Sequence, residues 1–182
     1  MSASAEAVVR AIETRRELVN DALTECLPVQ EPERLYRASR HLVDAGGKRL
    51  RPAMALLVAE ALTDTEPLSE DYRTFSPLDG ADAIDVMAAA VSIETIQSFT
   101  LIHDDIMDED DLRRGVPSVH RAYDTETAIL AGDTLYAKAF EFLLDAGAPP
   151  ERTVRALSNL ARTCTQICEG QSLDVAFESR AD

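Results

Sequence analysis

Apolar side chains recur at three-to-four spacing over residues 5–26 (Val8, Val9, Ile12, Leu18, Val19, Leu23, Cys26), with charges between them and Pro28 and Pro32 beyond. That pattern predicts an amphipathic helix stopped by the prolines. A second helix is expected over residues 33–45, ending where Gly46-Gly47 frees the backbone, and Pro52 suits the first turn of a third over residues 53–62. Residues 63–80 are rich in Asp, Ser, Thr, Pro and Gly and read as a peripheral loop. Residues 81–107 contain neither Gly nor Pro, and Ala, Ile, Val and Met cover nearly every side as far as Ile93, the profile of a long buried helix. The run from Arg113 through Arg114, Gly115 and Val116 to Pro117 breaks the pattern, and helices are expected at 124–146 and 151–178 around Gly147-Ala148-Pro149-Pro150. No alternating strand pattern of useful length appears, so the expected class is all-α.

The chain of 182 residues is long enough to bury a real core, and one domain spanning 1–182 is expected. With 46% hydrophobic and 28% charged residues it fits a globular helical protein rather than a disordered one. The formal charge of −15 repels a phosphate backbone, and no basic face interleaved with aromatics offsets it, which excludes nucleic acid as a partner. Lys48 and Lys138 are the only lysines, every other basic residue being arginine; an acidic, lysine-poor surface of this kind is like that of proteins from salt-loving archaea. Cys26, Cys164 and Cys168 are read as reduced packing residues, since no second Cys or His pair completes a metal site. No apolar run approaches the roughly 18 residues of a membrane span, and the first residues lack the basic-then-apolar order of a signal peptide. A soluble, cytoplasmic protein is expected.

The strongest chemical signal is Asp104-Asp105-Ile106-Met107-Asp108 at the end of the apolar helix. On a helix the first and last of these carboxylates lie about 40° apart and Asp105 about 100° from Asp104, so the three share a face. Their mutual repulsion is naturally offset by a divalent cation, and a few hard oxygen ligands with room for water and phosphate favour Mg²⁺ over caged Ca²⁺. A solvated acidic helix end would read the same way. An EF-hand is excluded, because in the register starting at Asp104 Ile106 fills a ligand position and Glu109 replaces the required glycine. Two basic clusters stand out against the acidic background: the run from Gly46 and Gly47 through Lys48, Arg49 and Arg51 to Pro52, and Arg113-Arg114-Gly115. Arginine offers phosphate a planar fork, lysine a point charge, and glycines let backbone N–H groups approach an anion. Helix-end cations paired with surface carboxylates are the alternative for either cluster alone.

Taken in order, these two clusters, the segment from Ser98 through His103 to Asp108, Ala131-Gly132-Asp133 and the segment Gly170-Gln171-Ser172-Leu173-Asp174 resemble the trans-isoprenyl diphosphate synthases over residues 30–178. The resemblance implies an isoprenoid-synthase-type helical bundle and the condensation of an allylic diphosphate with isopentenyl diphosphate. It further implies that Asp104 and Asp108 ligate Mg²⁺ with Asp105 in support, and that Arg113 holds the allylic diphosphate. Lys48, Arg51, Gln97 and Arg114 match the isopentenyl diphosphate site, Gln97 standing where many relatives carry histidine. Phe99, five residues before Asp104, matches the position that limits product length and is similar to the archaeal geranylgeranyl type, while Thr100 lacks the second ring of animal farnesyl synthases. Asp133, Gln171 and Asp174 match cavity-facing positions, Asp174 being preferred over the other two. His41 and His120 match nothing and receive no role. Self-association through helix faces, as a homodimer or with a missing C-terminal half, is expected.

Relatives carry a second aspartate-rich motif that is absent before Asp182, so the bundle is expected to be truncated after about half its helices, and an incomplete or regulatory subunit is one alternative. A metal phosphohydrolase built on His41, His103-Asp104 and Asp133 is another, although it leaves both arginine clusters and Asp108 without work.

Overall fold

The computed structural model of the chain describes residues 3–63, 66–68, 71–76 and 82–178. Among these described residues seven helices follow one another: α1 (Ala3–Cys26), α2 (Glu33–Asp44), α3 (Leu50–Thr63), α4 (Val86–Met107), α5 (Val119–Ala122), α6 (Thr125–Leu144) and α7 (Pro150–Glu178). A two-stranded antiparallel ribbon, β1 (Leu112–Arg113) and β2 (Val116–Pro117), lies between α4 and α5.

The all-α architecture follows from apolar periodicity, and capping residues set its boundaries. Asp85 precedes α4 in an extended conformation, and its carboxylate accepts from the Ala88 N–H at 2.7 Å. This cap satisfies a donor with no partner inside the helix. It also corrects the expected start: residues 82–85 are not helical, Ile84 bridges to Phe75, and Ala81 lies outside the described residues. Asp124 caps α6 in the same way, accepting from Thr127 N–H at 2.6 Å.

Helix α4 is the centre of the bundle, packed most extensively along α6 and also on α3 and α1. Small buried residues on α6 (Ala128, Ala131, Gly132, Ala139) let the two helices approach, and Ser92 Oγ donates to the Ala139 carbonyl at 2.7 Å. Leu23, Leu42, Leu56, Val91, Ile102 and Leu135 fill the joint core. By length and composition α4 does qualify as a membrane span, with a mean hydropathy of 1.3, contrary to the expectation that no such run exists. Burial of 56% of that stretch inside the bundle accounts for its apolar character.

Two further departures have physical causes. The 63–80 segment was expected to be peripheral, yet Tyr72 and Phe75 stack in the core with centroids 6.1 Å apart. Asp64, Thr65, Ser69, Pro77, Asp79 and Gly80 of the expected loop lie outside the described residues. The break at 113–117 is a tight hairpin whose central residues, Arg114 (φ 55°) and Gly115 (φ 81°), both take the left-handed conformation required by the commonest two-residue connection.

Candidate active site

The final turns of α4 carry Gln97, Phe99, Thr100, His103, Asp104 and Met107 onto one wall of a cavity of about 800 Å³. Arg51 from α3 and Gln171 from α7 complete the part of its lining that bears on the chemistry. Thus Arg51, Gln97, Phe99, Asp104 and Gln171, all singled out from sequence, meet in one place.

The aspartates of the motif divide by environment. Asp104 faces the cavity, its side chain 31% exposed. Burial, then the nearby Asp108 carboxylate, push its pKa above the usual range, against the pull of Arg113 and a hydrogen bond from Gln171. Asp108 caps α4, its N–H donating to the Asp104 carbonyl at 2.8 Å, and its side chain is exposed beside Asp104. Asp105 is fully buried instead: Arg113 Nε and Nη2 each lie 2.5 Å from its Oδ1, while Oδ2 has no hydrogen-bond partner among the described residues. Desolvation raises its pKa and Arg113 opposes the shift.

Arg113 serves all three neighbours, reaching Asp110 at 2.7 Å and Asp104 at 3.8 Å. The repulsion expected of an aspartate cluster is therefore partly offset from within the chain, by an arginine five residues after the motif. Arg114 turns the opposite way. Its Nη1 donates to the Leu42 and Gly46 carbonyls at 2.8 and 2.5 Å, and its Nη2 lies 3.3 Å from Glu94 Oε1. Burial and the proximity of Arg49 lower its pKa. Neither Arg114 nor the exposed Lys48 lines the cavity.

Phe99 packs edge-on against His103 at 4.8 Å and Tyr136 at 5.3 Å, and Tyr136 leans on Phe140 at 5.1 Å. Sequence reading missed Tyr136 and Phe140, although their spacing of four on an amphipathic helix was a usable signal. His103 sits so close over Gly132 that a Cβ there would collide with the imidazole. Asp133, expected to face the cavity, is 62% exposed and 3.8 Å from His103 Nε2. Asp174, preferred on sequence over Gln171, is exposed and outside the cavity lining, whereas Gln171 is part of it. His41 donates through Nε2 to the Pro117 carbonyl at 2.7 Å, and His120 Nδ1 meets Ser118 Oγ at 3.2 Å. Among the described residues no three His, Cys, Asp or Glu side chains converge on a point that would hold a metal by themselves.

The family model for polyprenyl synthetase matches residues 32–182. The chain is 71% identical over 179 residues to a geranylfarnesyl diphosphate synthase of Natronomonas pharaonis, covering 98% of this chain and 52% of that protein. It superposes on the geranylgeranyl pyrophosphate synthetase structure of Geoglobus acetivorans with a TM-score of 0.79 and 55% identity, over 91% of this chain and 49% of the other. The corresponding structure from Pyrococcus horikoshii gives a TM-score of 0.82 at 39% identity, over 97% of this chain and 49% of the other. The chain thus spans about half the length of the relatives it matches.

Proposed function

This chain belongs to the polyprenyl synthetase family, and on that premise we propose that it supplies the diphosphate-binding portion of a trans-prenyltransferase joining an allylic diphosphate to isopentenyl diphosphate. The observation that carries the reading is a cavity in which Asp104, Arg51 and Gln97 share one lining with Phe99. Charged and donor groups suited to two diphosphates thereby adjoin an apolar wall suited to a hydrocarbon tail.

Asp104 and Asp108 fit a magnesium ion: they are hard oxygen donors one turn apart, too few to cage a cation, which leaves positions for water and phosphate oxygens. Bound there, Mg²⁺ would neutralise diphosphate charge. Arg113, already within 3.8 Å of Asp104, is placed to meet the charge that grows on the leaving diphosphate as the allylic C–O bond breaks. Arg51 and Gln97 donate to isopentenyl diphosphate and hold its double bond toward the cation, and Lys48, exposed three residues before Arg51, adds positive charge, while Arg114 supports the segment from inside instead of touching the ligand. The bond forms between the two carbon skeletons, and the proton lost afterwards goes to the departed diphosphate.

Phe99, backed by Tyr136, forms the wall that the growing chain meets, and the product falls within the geranylgeranyl to geranylfarnesyl range named for the relatives. Self-association as a dimer belongs to the same reading, supported by the exposed apolar side chains Ile129, Leu130 and Tyr136 of α6, and a cytoplasmic setting goes with it. Thermal melting tests the proposal. Mg²⁺ together with an allylic diphosphate analogue should raise the melting midpoint well beyond either alone, because the pair binds only the folded site. An unchanged midpoint at saturating ligand would contradict it.

A further inference from the structure

We propose, resting on the reading above, that Glu94 is a positioning residue for the isopentenyl diphosphate site: it locks the Gly46–Pro52 segment to α4 at the level of Gln97. Glu94 is 3% exposed, lies one turn before Gln97 and does not line the cavity, so any effect it has on substrate passes through other residues. A carboxylate this deep in an apolar helix is costly unless matched by charged partners. Two guanidinium groups match it, Arg49 Nη1 at 2.5 Å and Arg114 Nη2 at 3.3 Å.

Each of those arginines holds backbone in turn. Arg49 Nη2 donates to the Val43 carbonyl at 2.7 Å and its Nε to Asn20 Oδ1 at 2.9 Å. Arg114 donates to the carbonyls of Leu42 and Gly46. Leu42 and Val43 lie in the last turn of α2, where the Val43 carbonyl also accepts from the Gly46 N–H at 3.0 Å, so the two guanidinium groups add to the backbone hydrogen bond that ends that helix. The turn is held tightly: a Cβ on Gly47 would stand 3.0 Å from Arg114 Cζ. Lys48 is the residue before Arg49, and Arg51, on the cavity wall, is two residues after it. The distance between the donors of α3 and the donor of α4 is therefore set through Glu94, with no direct contact between Arg51 and Gln97 required.

Calorimetric titration of this chain tests the role, with wild type, Glu94→Gln and Glu94→Asp each titrated with isopentenyl diphosphate and, separately, with an allylic diphosphate analogue in Mg²⁺. Glu94→Gln keeps the shape and one acceptor but removes the charge. Its affinity for isopentenyl diphosphate should fall between about tenfold and a hundredfold, the range expected when donors shift by an ångström or less, with the analogue's affinity held within about threefold. Glu94→Asp should recover part of the loss. If Glu94→Gln fails to fold by circular dichroism, the Glu94→Asp comparison decides, and selective weakening of isopentenyl diphosphate there supports the role. Unchanged affinity for isopentenyl diphosphate, or proportionate loss of both ligands, overturns it. A wild-type chain that binds neither ligand overturns the functional reading itself; one that binds only the analogue overturns the role of Glu94 alone.

Discussion

Arg113 and Arg114 are neighbours in the chain, yet they work in different electrostatic settings. Arg113 sits among Asp104, Asp105 and Asp110, of which Asp104 lines the cavity, and keeps 27% of its side chain exposed. Arg114 is turned inward, where it shares the buried Glu94 with Arg49 and ties down backbone carbonyls. The divergence begins in the backbone, since Arg114 and Gly115 take up the two left-handed positions of the hairpin and Arg113 is left on the strand before it. A pair of adjacent arginines that the family resemblance assigns to two diphosphate sites is, in the fold, one arginine among the aspartates and one girder. Partners and burial, rather than residue type, decide which is which.

The contrast predicts a steep difference between inner and outer substitutions. Glu94→Ala leaves the buried Arg49 and the partly buried Arg114 without their carboxylate and should cost about 3–5 kcal/mol in chemical denaturation, as removal of one partner from a buried ion pair does. A loss below about 1 kcal/mol would place Glu94 with the surface pairs instead.

The buried network of Arg15, Glu60 and Tyr72 extends the inner side of the comparison and can be probed with pH. Burial and the short hydrogen bond to Glu60 push the Tyr72 phenol from 10.0 up to about 12. Because the folded pKa is the higher one, the folded state holds the proton longer; the stabilisation is complete below pH 10 and is lost as pH rises toward 12. The loss should be on the order of 2 kcal/mol in wild type and absent in Tyr72→Phe. Identical alkaline profiles for the two proteins would remove Tyr72 from the network.

On α4, between Glu94 and Asp104 in sequence, Phe99 belongs to the aromatic wall. Phe99→Ala opens space behind the aspartates, so an allylic diphosphate analogue one isoprene unit longer than the best wild-type ligand should gain about 1 kcal/mol or more relative to the shorter one, measured by calorimetry. No change in preference would make Phe99 ordinary packing. On the outer side the effects are smallest: Asp110 is 46% exposed, and Asp110→Ala should shift denaturation by less than about 1 kcal/mol.

Sequence alone located the long helices, because their apolar stripes are local and period-driven, but not the four-residue α5, and motif order pointed to Asp104, Arg51, Gln97 and Phe99, which share the cavity lining. What it could not locate depends on partners far away in the chain. Arg15 meets Glu60 and Arg49 meets Glu94, each across 45 residues, and nothing in the local pattern of either partner announces the pairing. Asp105 looked like a third carboxylate on the same face; only the return of the hairpin, which brings Arg113 onto it, makes it a buried anchor. Tyr72 and Phe75 sat among turn-forming residues whose composition masked two core side chains. The start of α4 was misplaced for a simpler reason: the absence of Gly and Pro permits a helix, but the Asp85 cap decides where it begins.

The central claim is that Asp104 at the cavity mouth binds diphosphate through magnesium. The most direct measurement is the affinity of an allylic diphosphate analogue for wild type and for Asp104→Asn, with Mg²⁺ and without it. Wild type should bind at least about tenfold more tightly with Mg²⁺ than without it, a difference of about 1.4 kcal/mol, and Asp104→Asn should lose that gain while retaining its fold. Equal affinity with and without Mg²⁺ in wild type, or a magnesium gain that survives in Asp104→Asn, would contradict the account.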